Sequence, residues 1–245
     1  MEIGLLRPQQ QDAWIVLGDV GLWAVADGMG GWDVGAQASA AIADALATVP
    51  AAADIVALTE AVEDRLGQAN AAIWDRTVRG ARAGATVAVL LARGDGARVI
   101  WSGDSRVYRL RGGVLSRMTR DHSEVNDLLD RGTITRAEAE RYPEDRVLTR
   151  AIGTAPRAEL EVRGVDIAAG DVWLVCTDGL TTHLTDRDIE AILAEARAPQ
   201  AACDALVDLA LARGGRDNVT AIAVEAQDAA PLSFARSIAE RLRQG

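Results

Sequence analysis

Apolar residues fall along the chain in two patterns. Short, near-continuous runs bounded by Gly or Asp predict strands: DAWIVLG (12–18), GLWAVAD (21–27), GATVAVLLA (84–92), ARVIWSGD (97–104), RVYRL (106–110), LEVRGVDI (160–167), DVWLVCTD (171–178) and NVTAIAVEA (218–226). They are rich in Val, Ile and Trp, which suit a packed, pleated surface. Between Leu91 and Val99 lies ARGDGAR, whose Asp95-Gly96 is a hairpin turn signal. The second pattern is helical. Val62, Leu66, Ala69 and Ile73 recur at i, i+4, i+7 and i+11 and make one apolar face. Gly35 to Val49 and Ala201 to Ala212 are alanine- and leucine-rich and read as helices, and Thr185 or Asp186 caps another that runs through Ala196. Strands come in adjacent runs and helices in pairs, not in strict βαβ alternation. That order predicts an α+β domain of antiparallel sheets flanked by helices.

Two segments break these patterns. Thr119 to Thr149 is polar and weakly periodic, so it is expected to lie over the core surface. After Gln227, the residues Leu232, Phe234, Ile238 and Leu242 recur at near-helical spacing with Arg236, Arg241 and Arg243 opposite. This reads as an amphipathic helical tail, 228–245, that packs on the domain or, as a second reading, meets a partner. No repeat or linker interrupts residues 1–227, which are expected to form one domain.

Composition narrows the function. The chain has 245 residues, 49% of them hydrophobic and 25% charged, enough to bury a core without staples. Its net charge of −10 argues against a broad nucleic-acid surface. A phosphate handled by so acidic a chain needs local positive charge, from metal or from arginine; there is no lysine. Cys176 and Cys203 lie in apolar runs without CxxC spacing and read as buried free thiols in a reducing compartment. MEIGLLRPQQQD lacks the cationic-then-apolar pattern of a signal peptide. The alanine-rich stretch from Ser39 to Leu58 is interrupted by Asp44, Pro50 and Asp54, so it is no membrane span. A cytoplasmic protein, on neither membrane nor nucleic acid, is the expectation.

The candidate chemistry sits at strand ends. WAVADG, VIWSGDS and WLVCTDG each run from apolar chain into a carboxylate, while Asp12 opens one strand and Asp217 precedes another. Beyond Asp27 the backbone is almost bare, passing through Gly28, Met29, Gly30 and Gly31. A lone Asp-Gly is ordinarily a turn, and Asp95-Gly96 is one. Asp27-Gly28 and Asp178-Gly179 differ because an apolar run places each carboxylate at the edge of a core, where it is costly unless paired or bound to metal. Aspartates gathered there repel one another unless cations lie between them. Oxygen ligands without a His or Cys cluster select a hard ion, Mg²⁺ or Mn²⁺.

DGMGG (27–31), GAT (84–86), SGDSR (102–106), TDGL (177–180) and GGRDNVT (214–220) stand in the order and approximate spacing of the metal-dependent, type 2C (PPM) serine/threonine protein phosphatases. The chain resembles that family from about Arg7 to Glu225, in its small bacterial single-domain form. The resemblance implies a four-layer α-β-β-α sandwich with a flap at about 119–150 and two Mn²⁺ or Mg²⁺ ions in a cleft at one edge. By motif, Asp27 would bridge both ions, the Gly28 carbonyl would bind one, and Asp178 and Asp217 would hold the other. Asp104 matches a third, weaker metal site. Asp12, Gln11 and Asn218 would support the ligands. Two ions about 3.5–4 Å apart would activate a water and neutralise charge on the phosphoryl oxygens. Arg7, in RPQQQDA, would hold the substrate phosphate through its guanidinium fork.

Two positions depart from the family pattern. Gln11 stands where many relatives have the first of two carboxylates, which implies weaker hold on one ion. Met29 replaces a histidine that many eukaryotic relatives use as general acid, and methionine cannot donate a proton. Slow turnover of alkyl phosphates is the expectation. Both histidines, His122 at the mouth of the flap and His183 after TDGL, read as structural. The implied partners are a phosphoprotein and the serine/threonine kinase that makes it, with the enzyme a monomer. The alternative is a pseudophosphatase that only binds. Retention of Asp27, Asp178 and Asp217 stands against it.

Overall fold

A computed structural model of the chain describes residues 1, 9–81, 83–139, 141–142 and 147–227. Its strands are β1 (Asp12–Leu17), β2 (Leu22–Met29), β3 (Gly84–Ala85), β4 (Val87–Arg93), β5 (Gly96–Ser102), β6 (Arg106–Arg111), β7 (Val114–Arg117), β8 (Glu161–Asp166), β9 (Val172–Cys176) and β10 (Ala221–Glu225). Its helices are α1 (Trp32–Ala47), α2 (Ile55–Arg76), α3 (Glu124–Asp130), α4 (Arg136–Ala139), α5 (Asp178–Thr181), α6 (Asp186–Glu195) and α7 (Pro199–Ala212). One sheet runs β1-β2-β4-β5-β8, with β3 added beside β2, and the other runs β10-β9-β6-β7. Every pairing is antiparallel.

Why the apolar runs are continuous follows from the layers. An antiparallel sheet commonly leaves one face wet and so alternates apolar with polar residues. Here both faces of the central strands are covered. Leu22, Ala24 and Ala26 of β2, with Val87, Val89 and Leu91 of β4, meet the inner faces of α1 and α2. The intervening Trp23, Val25, Ala88 and Leu90 point the other way, against Trp173 and Val175 of β9 and Ile222 and Val224 of β10. On the far side Tyr108, Leu174, Cys176 and Ala223 pack under α6 and α7. Fully burying a large apolar side chain contributes about 1.5–3 kcal/mol, and these three layers contain most of the core. The α-β-β-α sandwich is therefore the observed fold.

Among the described residues the predicted elements are present, with shifts that have local causes. The face of Val62, Leu66, Ala69 and Ile73 is buried on α2, and Asp54 caps that helix by accepting from the N–H groups of Val56 and Ala57, both at 2.9 Å. Thr185, not Asp186, caps α6, in a reciprocal box with Asp188. α7 starts at Pro199, two residues before the predicted Ala201, because proline's fixed φ suits the first helical position. The hairpin turn is Gly94-Asp95 rather than Asp95-Gly96. Gly94 takes the positive φ of 63°, and Gly96 pairs with Arg93 inside the ladder. Short β7, with no fully buried residue, was not predicted. Among the described residues both cysteines are free and buried, and no helix is long and apolar enough to cross a membrane.

The polar segment after Thr119 needs correction in part. Its middle carries α3, which buries Val125 and is otherwise partly exposed, and the mostly exposed α4, while Thr119, Asp121, His122 and Ser123 at its base are buried. Ser123 bridges to Leu148, so the segment leaves and rejoins the domain at one place. Arg7 and the tail 228–245 lie outside the described residues.

Candidate active site

The sandwich brings its strand ends together at one edge. A cleft of about 380 Å³ there is lined by Gln11, Asp27, Asp104, Asp178 and Asp217, with Met29 and the glycines between 28 and 31 along one wall. The four aspartates come from four places in the sequence: the end of β2, the β5–β6 loop, the start of α5 and the approach to β10. Each is half-buried. Asp12, directly across the ladder from Asp27, is buried behind the cleft. Its Oδ2 accepts from the hydroxyls of Thr177 (2.9 Å) and Thr220 (2.6 Å), which ties the first sheet to both strands at the edge of the second.

Glycine makes this convergence possible. A β-carbon on Gly28 would collide with the carbonyl of Gly35 and stand 2.9 Å from that of Gln11. The bare backbone after Asp27 thus lets the first turn of α1 press onto β2. Gly31 leads into that helix at a φ of 104°, a conformation that favours glycine. Behind Asp27, the Thr86 N–H donates to its carbonyl at 2.8 Å, and the Thr86 hydroxyl lies 2.7 Å from that of Ser105. The GAT motif therefore supports the carboxylate from the neighbouring strand.

Gln11 and Asn218 hold the other wall. The Gln11 amide donates to the Gly31 carbonyl at 3.0 Å, and its backbone N–H donates to Asn218 Oδ1 at 2.7 Å. Asn218 Nδ2 in turn donates to the Gln9 carbonyl at 3.1 Å. Residues 9–11 are laced to the start of β10 by these bonds.

The electrostatics show what the cleft lacks. Burial first, and then the carboxylates of Asp12, Asp178, Asp217 and Asp104, hold Asp27 well above the usual carboxylate range. Burial pushes Asp104 up to about 7, with Asp178 and Asp121 adding to it and the Arg106 guanidinium opposing. Asp12 is likewise raised to about 7 by burial, although two threonine hydroxyls work against the shift. Mutual repulsion on this scale is what bound cations relieve. Among the described residues no three His, Cys, Asp or Glu side chains close into a ready-made cage. The donors instead line the walls of an open cleft, which suits ions that keep several waters. An all-oxygen, charge-starved set of this kind fits hard divalent ions. Thiol chemistry does not fit: burial raises Cys176 to about 12 and Cys203 to about 11.

The Protein phosphatase 2C family model matches residues 1–219. The chain belongs to the protein phosphatase 2C family. It is 34% identical over 230 residues to the serine/threonine protein phosphatase PstP of Mycobacterium tuberculosis, a span of 92% of this chain and 44% of that protein. The chain thus covers less than half the length of this curated relative. PppA, described as a key regulatory component of T6SS in Pseudomonas aeruginosa, has a similar structure, with a TM-score of 0.81 and 38% identity over 90% of this chain and 92% of that one. The catalytic domain of PstP in complex with two manganese ions superposes with a TM-score of 0.76 and 32% identity, covering 93% of this chain and 96% of that one.

Of the residues singled out in the sequence, the fold brings Asp27, Gly28, Asp104, Asp178, Asp217 and Gln11 to the one cleft, with Asp12 and Asn218 supporting it from behind. Three supporting residues were not foreseen. Thr86, Thr177 and Thr220 each bond to a site aspartate or to each other across strands. Their signal was present in the sequence as the threonines of GAT, TDG and NVT, but a hydroxyl's partner is set by strand register. His183 is structural, as expected: its Nε2 accepts from the Arg216 N–H at 3.1 Å.

Proposed function

We propose that the chain hydrolyses phosphoserine and phosphothreonine in proteins with the help of two divalent ions, Mn²⁺ or Mg²⁺. The observation that carries this reading is the convergence of Asp27, Asp104, Asp178 and Asp217 on a cleft short of positive charge. Asp27 would bridge the two ions, the Gly28 carbonyl would add to one, and Asp178 and Asp217 would hold the other; Asp104 would serve a third. When bound, the ions supply an activated water and stabilise charge on the attacking and leaving oxygens. The chain's own part is to orient. Asp12 and its threonines fix the strand ends, the Gln11 amide fixes the glycine loop, and Arg7 would grip the phosphate. Met29 lines the cleft; many eukaryotic members of the family carry their proposed general acid, a histidine, at this position, so here the leaving group would draw its proton from water.

Residues 1–227 would form the catalytic domain, with the flap between 119 and 150 and the tail at 228–245 outside it. A monomeric, cytoplasmic enzyme opposing a serine/threonine kinase completes the proposal. Release of phosphate from a phosphothreonine peptide, with and without Mn²⁺, in wild type and Asp27→Ala, tests it. Activity that needs Mn²⁺ and disappears in Asp27→Ala is expected. A folded, Mn²⁺-supplied wild type that releases none from several peptides would overturn it in favour of a binding module.

A further inference from the structure

We propose that His122 is a positioning residue, gripping the Gly103 peptide so that Asp104 is held at the cleft. The grip is two-sided. The His122 N–H donates to the Gly103 carbonyl at 2.9 Å, and the Gly103 N–H donates to His122 Nδ1 at 3.1 Å. Gly103 has a φ of 109°, and a β-carbon there would stand 2.6 Å from Thr86 Cβ, so the peptide is also packed from the side of Asp27. Beyond Asp104, the Arg106 guanidinium forks onto Asp121 at 3.0 and 2.7 Å. The dipeptide Asp121-His122 therefore brackets Asp104, holding the residue before it and the residue two after it.

The imidazole is itself over-determined. It is 5% exposed and stacks on Trp101 with ring centroids 6.0 Å apart and planes inclined by 12°. Since Nδ1 accepts from a backbone N–H, the proton belongs on Nε2, which lies 3.2 Å from the Glu161 carboxylate. Glu161 also meets the Arg150 guanidinium at 3.2 Å, and the His122 carbonyl accepts from Thr149 at 3.0 Å. Both stems of the flap and edge strand β8 thus converge on the residue that fixes the Asp104 loop. A histidine kept only for packing needs no lone pair aimed at one backbone amide. This one is placed by it.

The inference rests on the proposed metal role of Asp104 only for its effect on catalysis; the clamp itself is testable without metal. His122→Asn keeps an acceptor at the position of Nδ1, whereas His122→Gln moves it to the position of Nε2. Amide hydrogen exchange of the metal-free full-length chain is read at Gly103, with Gly21, which donates to Leu17 at 2.9 Å, as the control amide. Loss of one buried hydrogen bond predicts about tenfold faster exchange at Gly103 in His122→Gln, little change in His122→Asn, and no change at Gly21 in either. Mn²⁺ titration is then expected to show the weakest site lost in His122→Gln and kept in His122→Asn. Equal protection of Gly103 in the two variants would overturn the clamp. A clamp seen by exchange with unaltered Mn²⁺ binding would leave the clamp standing and overturn its link to Asp104. Both variants lose the stacked ring alike, so a shared drop in thermal stability cannot mimic the expected difference.

Discussion

The Gly179 α-carbon lies so close to the Asn218 backbone that a β-carbon on Gly179 would overlap the Asn218 carbonyl oxygen and stand 2.9 Å from its carbon. The contact sets the start of α5 against the approach to β10, and so places Asp178 beside Asp217. Gly179→Ala is expected to destabilise the metal-free protein by about 1–3 kcal/mol through overpacking. Moving one carboxylate by about 1 Å is expected to lower Mn²⁺-supported turnover about a hundredfold. Thermal unfolding in chelator and phosphate release at saturating Mn²⁺ check the two effects separately. Gly67, exposed within α2 with nothing within 4 Å of a β-carbon, is the control. Gly67→Ala is expected to stabilise by about 0.5–1 kcal/mol and leave turnover unchanged.

A second prediction concerns stability away from the cleft. Asn70 is buried on α2, where its Oδ1 accepts from the Gly153 N–H at 2.7 Å and its Nδ2 donates to the Ala155 carbonyl at 3.0 Å. It fastens the loop after the flap to the first helix pair, together with the Thr77 hydroxyl, which donates to the Gly153 carbonyl at 3.1 Å. Asn70→Leu fills the space but leaves the buried Gly153 amide and the half-buried Ala155 carbonyl without this partner. The expected loss is about 2–4 kcal/mol, since each orphaned group costs about 1–3 kcal/mol. Denaturant unfolding measures it; a loss under 0.5 kcal/mol, within the usual range for surface changes, would mean that water replaces the amide.

How much of this was legible beforehand depends on what kind of information each residue carries. The central strands were readable because both faces are buried, so β2, β4 and β9 announce themselves as apolar runs. β7 was not, because a short edge strand with partly exposed residues has no such signal. The aspartates were visible one at a time at strand ends. That they meet is a matter of register and sheet order, which place Asp12 opposite Asp27 and bring β10 beside β9. The turn at Gly94-Asp95 was displaced by one residue because Asp95-Gly96 matches the commoner pattern, while Gly96 is needed without a side chain against Ile55. His122 read as structural, but it stood at the mouth of a polar segment expected to lie on the surface. Its burial comes from Trp101, which is distant in sequence.

Stability should vary with pH through His122 in a definite direction. Burial, helped by the Arg150 guanidinium, lowers its pKa below the ordinary 6.5, with Glu161 and Asp121 opposing. As pH falls through 6.5 the unfolded chain takes up a proton that the folded protein does not, so stability is lost below that value. Asp12 and Asp104 act the other way in the absence of metal. Their folded pKa values of about 7 mean that the folded state gains protons as pH falls. Wild type minus His122→Asn isolates the histidine. Denaturant unfolding at pH 7.5 and 5.5 is expected to show wild type losing more, or gaining less, than the variant; identical changes would remove His122 as the cause.

The placement of Met29 makes a prediction about leaving groups. It is the cleft residue at the end of β2, and among the described residues no lining side chain is a histidine, lysine or tyrosine. A phenolate departs without prior protonation, whereas a serine alkoxide does not. The ratio of turnover on aryl to alkyl phosphates is therefore expected to be large, and Met29→His is expected to reduce it. Equal rates on the two classes in wild type would show that protonation is supplied from elsewhere.

Gln11 is where two demands on one side chain can be separated. Its amide donates to the Gly31 carbonyl at 3.0 Å, a bond no carboxylate can make. In this chain the amide steadies the glycine loop between Asp27 and α1, and its neutrality leaves the cleft with one negative charge fewer. Gln11→Glu reverses both. An added carboxylate is expected to tighten Mn²⁺ binding by about tenfold, the equivalent of about 1.4 kcal/mol. The same carboxylate faces a carbonyl oxygen and loosens the loop, so turnover at saturating Mn²⁺ is expected to fall. Calorimetric Mn²⁺ titration and steady-state kinetics read the two effects independently. Tighter binding with undiminished turnover would mean that the Gly31 bond is dispensable, and Gln11 would then matter to the cleft through its charge alone.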